Sequence, residues 1–185
     1  MRMATLIAPL ALMLASACSA QSDIARLEMN SVGFPTTSAA NLEGEVLDIP
    51  EGLRGEANLM LVAFRRMQQR NVDTWLAQMG DVQDAYPAFE YYEFPVVPEF
   101  GPMGRAFLDR AMINGIPDAE QRGRTITLFT DKAAFRKALD IESEDMIHVL
   151  LIDRKGTVLW RETGDYTKAK GAALEKRLQQ LLTTE

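Results

Sequence analysis

The chain has 185 residues, 47% hydrophobic and 25% charged, with a formal net charge of −6 and a pI of about 4.9. That is ordinary globular composition, with enough apolar residues for a real core once a short leader is set aside. An acidic body excludes nucleic acid as the expected partner, because phosphate binding needs a concentrated basic face.

The chain opens Met1-Arg2-Met3, continues as a largely apolar run from Ala4 to Ala15, and reaches Ala15-Ser16-Ala17-Cys18. A basic start, a short apolar stretch and small residues before a cut site mark an export signal over residues 1–17. Small residues before the only cysteine also resemble the lipobox of bacterial lipoproteins, with Cys18 as the lipidated residue. Cleavage before Cys18 gives an anchored protein on the periplasmic side of the cell envelope; cleavage after Ala20 gives a soluble periplasmic or secreted one. Ser19 after the cysteine resembles outer-membrane sorting in some bacteria. With one cysteine, no intramolecular disulfide is available, so packing must supply the stability.

Residues 18–43 are mixed and polar and read as a tether or N-terminal arm, with the domain following over 44–185. Val46 to Ile49 is a strand ended by Pro50, and Leu59 to Phe64 has the unbroken hydrophobicity of a strand covered on both faces. Val72, Trp75, Leu76 and Met79 fall on one helical face, and that helix ends near Gly80. Phe89 to Val97 is a strand expected to stop early because of Pro95. A helix runs from Met103 to about Ile113, a strand from Thr125 to Phe129, and a helix capped by Thr130 or Asp131 reaches Leu139. Ile147 to Ile152 and Thr157 to Arg161 form a hairpin around Gly156, and Leu174, Leu178, Leu181 and Leu182 stripe the last helix. The pattern is α/β and fits a thioredoxin-like three-layer sandwich, its sheet expected to be mainly parallel with a C-terminal antiparallel hairpin.

Particular residues narrow the resemblance. The run Ile147-His148-Val149-Leu150-Leu151-Ile152-Asp153-Arg154-Lys155-Gly156-Thr157-Val158-Leu159-Trp160-Arg161, then Gly164, looks like the closing hairpin of thioredoxin-like proteins. Phe64 to Trp75, with Gln69-Arg70-Asn71-Val72-Asp73-Thr74-Trp75, is similar to the mitochondrial ATPase complex subunit 10 family. That resemblance spans roughly Gly44 to Leu182 and implies an assembly or chaperone-like role at an envelope complex, with ATP synthase as one client. Redox members of the fold carry a thiolate at the start of the first core helix and a cis-proline before the hairpin. Here Arg65-Arg66-Met67-Gln68-Gln69-Arg70 and Ile147 stand in those places. The expectation is therefore a protein that acts by binding, more a non-enzyme than an enzyme, with thiol oxidoreductase and peroxidase activity excluded and no cofactor.

Arg65, Arg66 and Arg70 replace the catalytic segment and are the candidate interaction surface, since arginine favours protein interfaces. His148, the one histidine, is the candidate for a non-thiol enzymatic site with a nearby carboxylate. A lone histidine without further soft ligands gives no metal site. Glu90 with Glu93, and Glu142, Glu144 and Asp145, read as solvated charge. A third role is that of accessory to a redox partner that supplies its own thiols.

Overall fold

The computed structural model describes residues 33–182, so the expected export signal, Cys18 and the first part of the expected arm lie outside the described residues. Strands β3 (Ala57–Ala63), β4 (Phe89–Val97), β5 (Leu128–Phe129), β6 (His148–Asp153) and β7 (Val158–Thr163) form one sheet in the order β5-β4-β3-β6-β7. Pairing is parallel from β3 to β4 and from β4 to β5, and antiparallel from β3 to β6 and from β6 to β7. Four strands thus share one direction and β6 alone opposes them, which makes the sheet mixed.

β3 sits at the centre, and its unbroken apolar run is buried on both faces. Leu59 and Leu61 join Phe89, Val149 and Leu151 under α1 (Gln69–Ala85), which contributes Val72, Trp75 and Met79, and α5 (Lys168–Leu182), which contributes Leu174 and Leu178. Met60 and Val62 join Tyr92, Phe94, Val96, Leu150 and Ile152 on the other face, under Phe135 of α4 (Lys132–Ala138). Asp131 caps α4 by accepting from the amides of Ala133 and Ala134. Three layers result: helices, sheet, and a second cover of helix and hairpin.

That hairpin joins β1 (Thr37–Ala40) to β2 (Val46–Ile49) and is partly unexpected from the sequence. Residues 33–43, assigned to an arm, pack as part of the domain. Phe34 is 4% exposed, and its ring meets Phe94 and Phe135 edge-on at 5.4 and 5.7 Å. The amide of Phe34 donates to the Gly156 carbonyl at 2.7 Å, and Gly33 bridges Thr157, so the chain enters the domain beside the β6–β7 turn. Gly156 takes φ +83°, and a side chain there would also strike Pro50.

β4 does not stop early but continues through Pro95 to Val97. The carbonyls of Glu93 and Val97 accept from the amides of Ile126 and Thr130, so alternate residues address β5. The missing N–H of Pro95 falls on that lightly paired side, where a proline is tolerated. The strand expected over Thr125–Phe129 shrinks to two residues, preceded by bridges at Thr125 and Ile126. Between β4 and β5 lie α2 (Pro102–Gly115) and a short helix α3 (Ala119–Arg124). At the other sheet edge, Arg177 and Lys170 of α5 donate to the carbonyls of Leu159 and Thr163 on β7, which blunts that edge against pairing with another chain.

If the arm is structural, Phe34→Ala should destabilise the domain by about 3 kcal/mol, the usual cost of emptying a buried aromatic site. Urea unfolding followed by tryptophan fluorescence checks this, and an unchanged midpoint would return residues 33–43 to a loose tether.

Candidate functional site at the carboxyl edge of the sheet

Because β3, β4, β5 and β7 run together and β6 opposes them, one end of the sheet gathers several loops. They are the segments after Ala63, Val97, Phe129 and Thr163, and the loop before His148. Ligands of open α/β sheets bind at this carboxyl end.

The segment after β3 is fixed by one buried side chain. Gln68, 3% exposed, accepts from the amides of Phe64 and Arg65 at 2.8 and 3.1 Å and donates to the Glu144 carbonyl at 2.7 Å. It closes the short 3-10 turn Arg66–Gln68 that leads into α1 and ties that turn to the loop before β6. Lys132 adds a second tie: its ammonium reaches Glu144 at 2.6 Å and the Phe64 carbonyl at 3.3 Å. Ile147 is fully buried, and the cis peptide among the described residues is Ile49–Pro50, at the end of β2.

Of the three arginines read as an interaction surface, Arg65 is engaged by Asp145 at 3.1 Å. Arg66 and Arg70 are exposed and form no ion pair among the described residues. Met67 stands between them, 68% exposed. On the far side of the joined loop Met146 is 48% exposed.

His148 lies at the same edge, on the sheet face opposite α1. It lines an open depression of about 230 Å³ with Leu150, Arg161, Glu162 and Thr163. Its Nε2 lies 2.8 Å from the Ser143 carbonyl. Burial lowers its pKa below the usual histidine range, and the charges of Arg161 and Arg136 push the same way against that carbonyl. No carboxylate among the described residues is hydrogen-bonded to the ring, and the pair sought for acid–base work is not assembled among them. No group of three or more His, Cys, Asp or Glu among the described residues is placed to hold a metal ion.

The acidic clusters are not simply solvated. Glu144 is bound by Lys132 and lies 3.7 Å from Arg136, and Glu90 is bound by Arg124. Glu93 is 2% exposed on the α1 face of β4. Its carboxylate accepts from Gln69 at the start of α1 at 2.9 Å, from Gln121 of α3 at 3.1 Å, and from Thr125 at 3.5 Å. Burial pushes its pKa up, with Asp73 adding, against those three donors. Its place among Phe89, Tyr91 and Glu93 at period two was the available signal, since that face of the sheet lies under α1. Nothing in the sequence marks Gln68.

No family model matches the chain and no curated protein matches it, so the narrower likeness to the ATPase complex subunit 10 family rests on the residues quoted for it. Solved structures do match. The thioredoxin domain of a thiol-disulfide oxidoreductase from Bacteroides vulgatus is 14% identical, with 81% of this chain and 95% of that chain covered and a TM-score of 0.51. A thiol-disulfide oxidoreductase from Bacteroides fragilis is 16% identical, with 78% and 98% covered and a TM-score of 0.51. A protein described as a DsbE-type thiol:disulfide interchange protein from Chlorobium tepidum is 19% identical, with 82% and 96% covered and a TM-score of 0.50. The fold is thioredoxin-like. These neighbours correct the expectation that the chain is not an enzyme and that thiol oxidoreductase and peroxidase activity is excluded. That exclusion rested on the missing cysteine at residues 65–70 and on Ile147 standing where redox members carry a cis-proline. It is withdrawn.

A raised carboxyl pKa in the folded state means the fold binds the Glu93 proton more tightly than the unfolded chain does. Its favourable contribution is complete below the unfolded pKa and is lost as pH rises through the folded one. Glu93→Gln should therefore gain stability relative to the native chain as pH rises from 4 toward 8. Urea unfolding across that range checks the sign, and parallel curves would place Glu93 in water.

Proposed function

We propose that this chain is an exported thioredoxin-like protein that holds a polypeptide partner at the carboxyl edge of its sheet, alongside a thiol–disulfide oxidoreductase. The observation that carries the reading is the segment 65–70. Gln68 holds it rigid, so Arg66, Met67 and Arg70 stand outward on a fixed frame. Pre-ordered side chains lose less entropy on binding, and arginine next to an apolar group is the usual composition of an interface centre. The fold's neighbours support the choice of partner, since those named above are themselves thiol–disulfide proteins.

Two finer readings accompany it. Lipidation of Cys18 would hold the protein at the envelope membrane on its periplasmic side; no helix among the described residues is long and apolar enough to cross a membrane. An assembly role at a membrane complex such as ATP synthase is supported by the residues of 64–75 and 147–161 alone.

The test is a photo-crosslinker at Met67 in the full chain, in its native membranes, with Arg66→Glu/Arg70→Glu as comparison. Capture of a polypeptide client together with a CxxC-containing oxidoreductase, reduced on the order of tenfold by the charge reversal, is expected for contacts of hot-spot size. Equal capture by both proteins, or none by either, removes the reading. In the same cells Cys18→Ala should move the protein from the membrane to the soluble fraction; unchanged fractionation would remove the lipid anchor.

A further inference from the structure

A surface helix is normally apolar on one side only. α2 is apolar on two. Toward the body it turns Leu108 and Met112, both half-buried, with the Met112 sulfur accepting from the Thr127 hydroxyl at 3.6 Å. Toward solvent it turns Met103 and Phe107, 89% and 78% exposed, among exposed Ala106, Arg110 and Ala111. No side chain of this 14-residue helix is buried.

Its outer face is continuous with the carboxyl edge. Phe100, just ahead of the helix, packs against Phe129 at the end of β5 at 6.2 Å, and the Arg105 guanidinium lies 5.0 Å from the same ring. β5, β4 and β3 are neighbours, and strand spacing sets the ends of β5 and β3 about 10 Å apart. Phe100 and Met103 at the start of α2 therefore stand at the same end of the sheet as Met67 and Met146, and Phe107 carries the exposed face one turn further along the helix.

We propose that the outer face of α2 is the second half of the polypeptide-binding surface, and that the occupant is an unfolded segment carrying apolar side chains and carboxylates. The proposal deepens the reading given above and rests on it. Three exposed methionines argue for an occupant of variable sequence, because the unbranched thioether repacks against differing shapes. Charge argues for carboxylates. On a chain of net charge −6, Arg66, Arg70 and Arg110 are exposed around this surface, and none of them forms an ion pair among the described residues.

A second copy of the chain fits less well, since a two-fold contact through this face would set these arginines against one another.

The experiment uses the full chain and reduced, carboxymethylated α-lactalbumin, an unfolded acidic polypeptide, with binding read by fluorescence anisotropy. Met103→Ser/Phe107→Ser should weaken binding at least tenfold while leaving the thermal midpoint unchanged, because both side chains are exposed. Arg66→Glu/Arg70→Glu should weaken it as well and flatten its salt dependence. If the α2 variant binds as the native chain does while the arginine variant does not, the α2 proposal falls and the edge reading stands. If the native chain itself does not bind, both fall. Vesicle flotation and sedimentation velocity complete the set: lipid binding or self-association that Met103→Ser/Phe107→Ser abolishes, without binding of the polypeptide, gives the face to those occupants and overturns the proposal.

Discussion

The carboxamide of Gln68 is the contact on which the carboxyl edge depends. A glutamine has one acceptor oxygen and two donor hydrogens, and here the oxygen serves two backbone amides while the nitrogen serves a carbonyl 76 residues away. Each partner is a backbone group at a place where the regular ladders have ended, and the bond to the Phe64 amide is buried while the other two are partly buried. Losing the side chain would leave the buried Phe64 amide unpaired, at a cost of about 1–3 kcal/mol, and would free two loops at once. In a redox member the turn before this helix holds a reactive group. Here it holds a polar staple, and what the staple presents to solvent is Arg66, Met67 and Arg70.

Much of the frame around that staple was legible in the sequence. Leu59 to Phe64 could only be a strand covered on both faces, and Val72, Trp75 and Met79 only a helix face, because period and burial are the same physics read twice. The closing hairpin was legible through Asp153 and Gly156, whose turn chemistry is local: Asp153 accepts from the amides of Lys155 and Thr157, and Gly156 takes the left-handed conformation. What escaped was set by distant partners. β1 exists because β2 pairs with it, although Thr37-Ser38-Ala39-Ala40 has no strand pattern of its own. The length of β4 depends on which neighbour faces Pro95.

The same distinction separates the charged residues. Arg65 and Arg66 are adjacent and look alike in sequence, but the loop before β6 brings Asp145 to one and nothing to the other. Glu90 and Glu93 lie three apart on one strand. One is bound by Arg124, and the other is buried against Gln69 and Gln121 with no cation among its hydrogen-bond partners. Burial of that kind normally selects against a carboxylate, since an uncompensated charge in a dry site is costly. Its three donors soften the cost and, in exchange, join β4, α1 and α3 at the edge where the arginines stand.

The direction of the chain then gives the surface its orientation. Phe34 and Gly33 fasten the entering segment to the β6–β7 turn, where β6 ends and β7 begins. Gln68, Arg66, Met67 and the start of α2 lie at the end where β6 begins. A partner docked at the carboxyl edge would therefore approach the end of the sheet away from the entering chain. The fixed arginines and the uncovered methionines stand at that end, apart from the bonds that fasten Gly33 and Phe34.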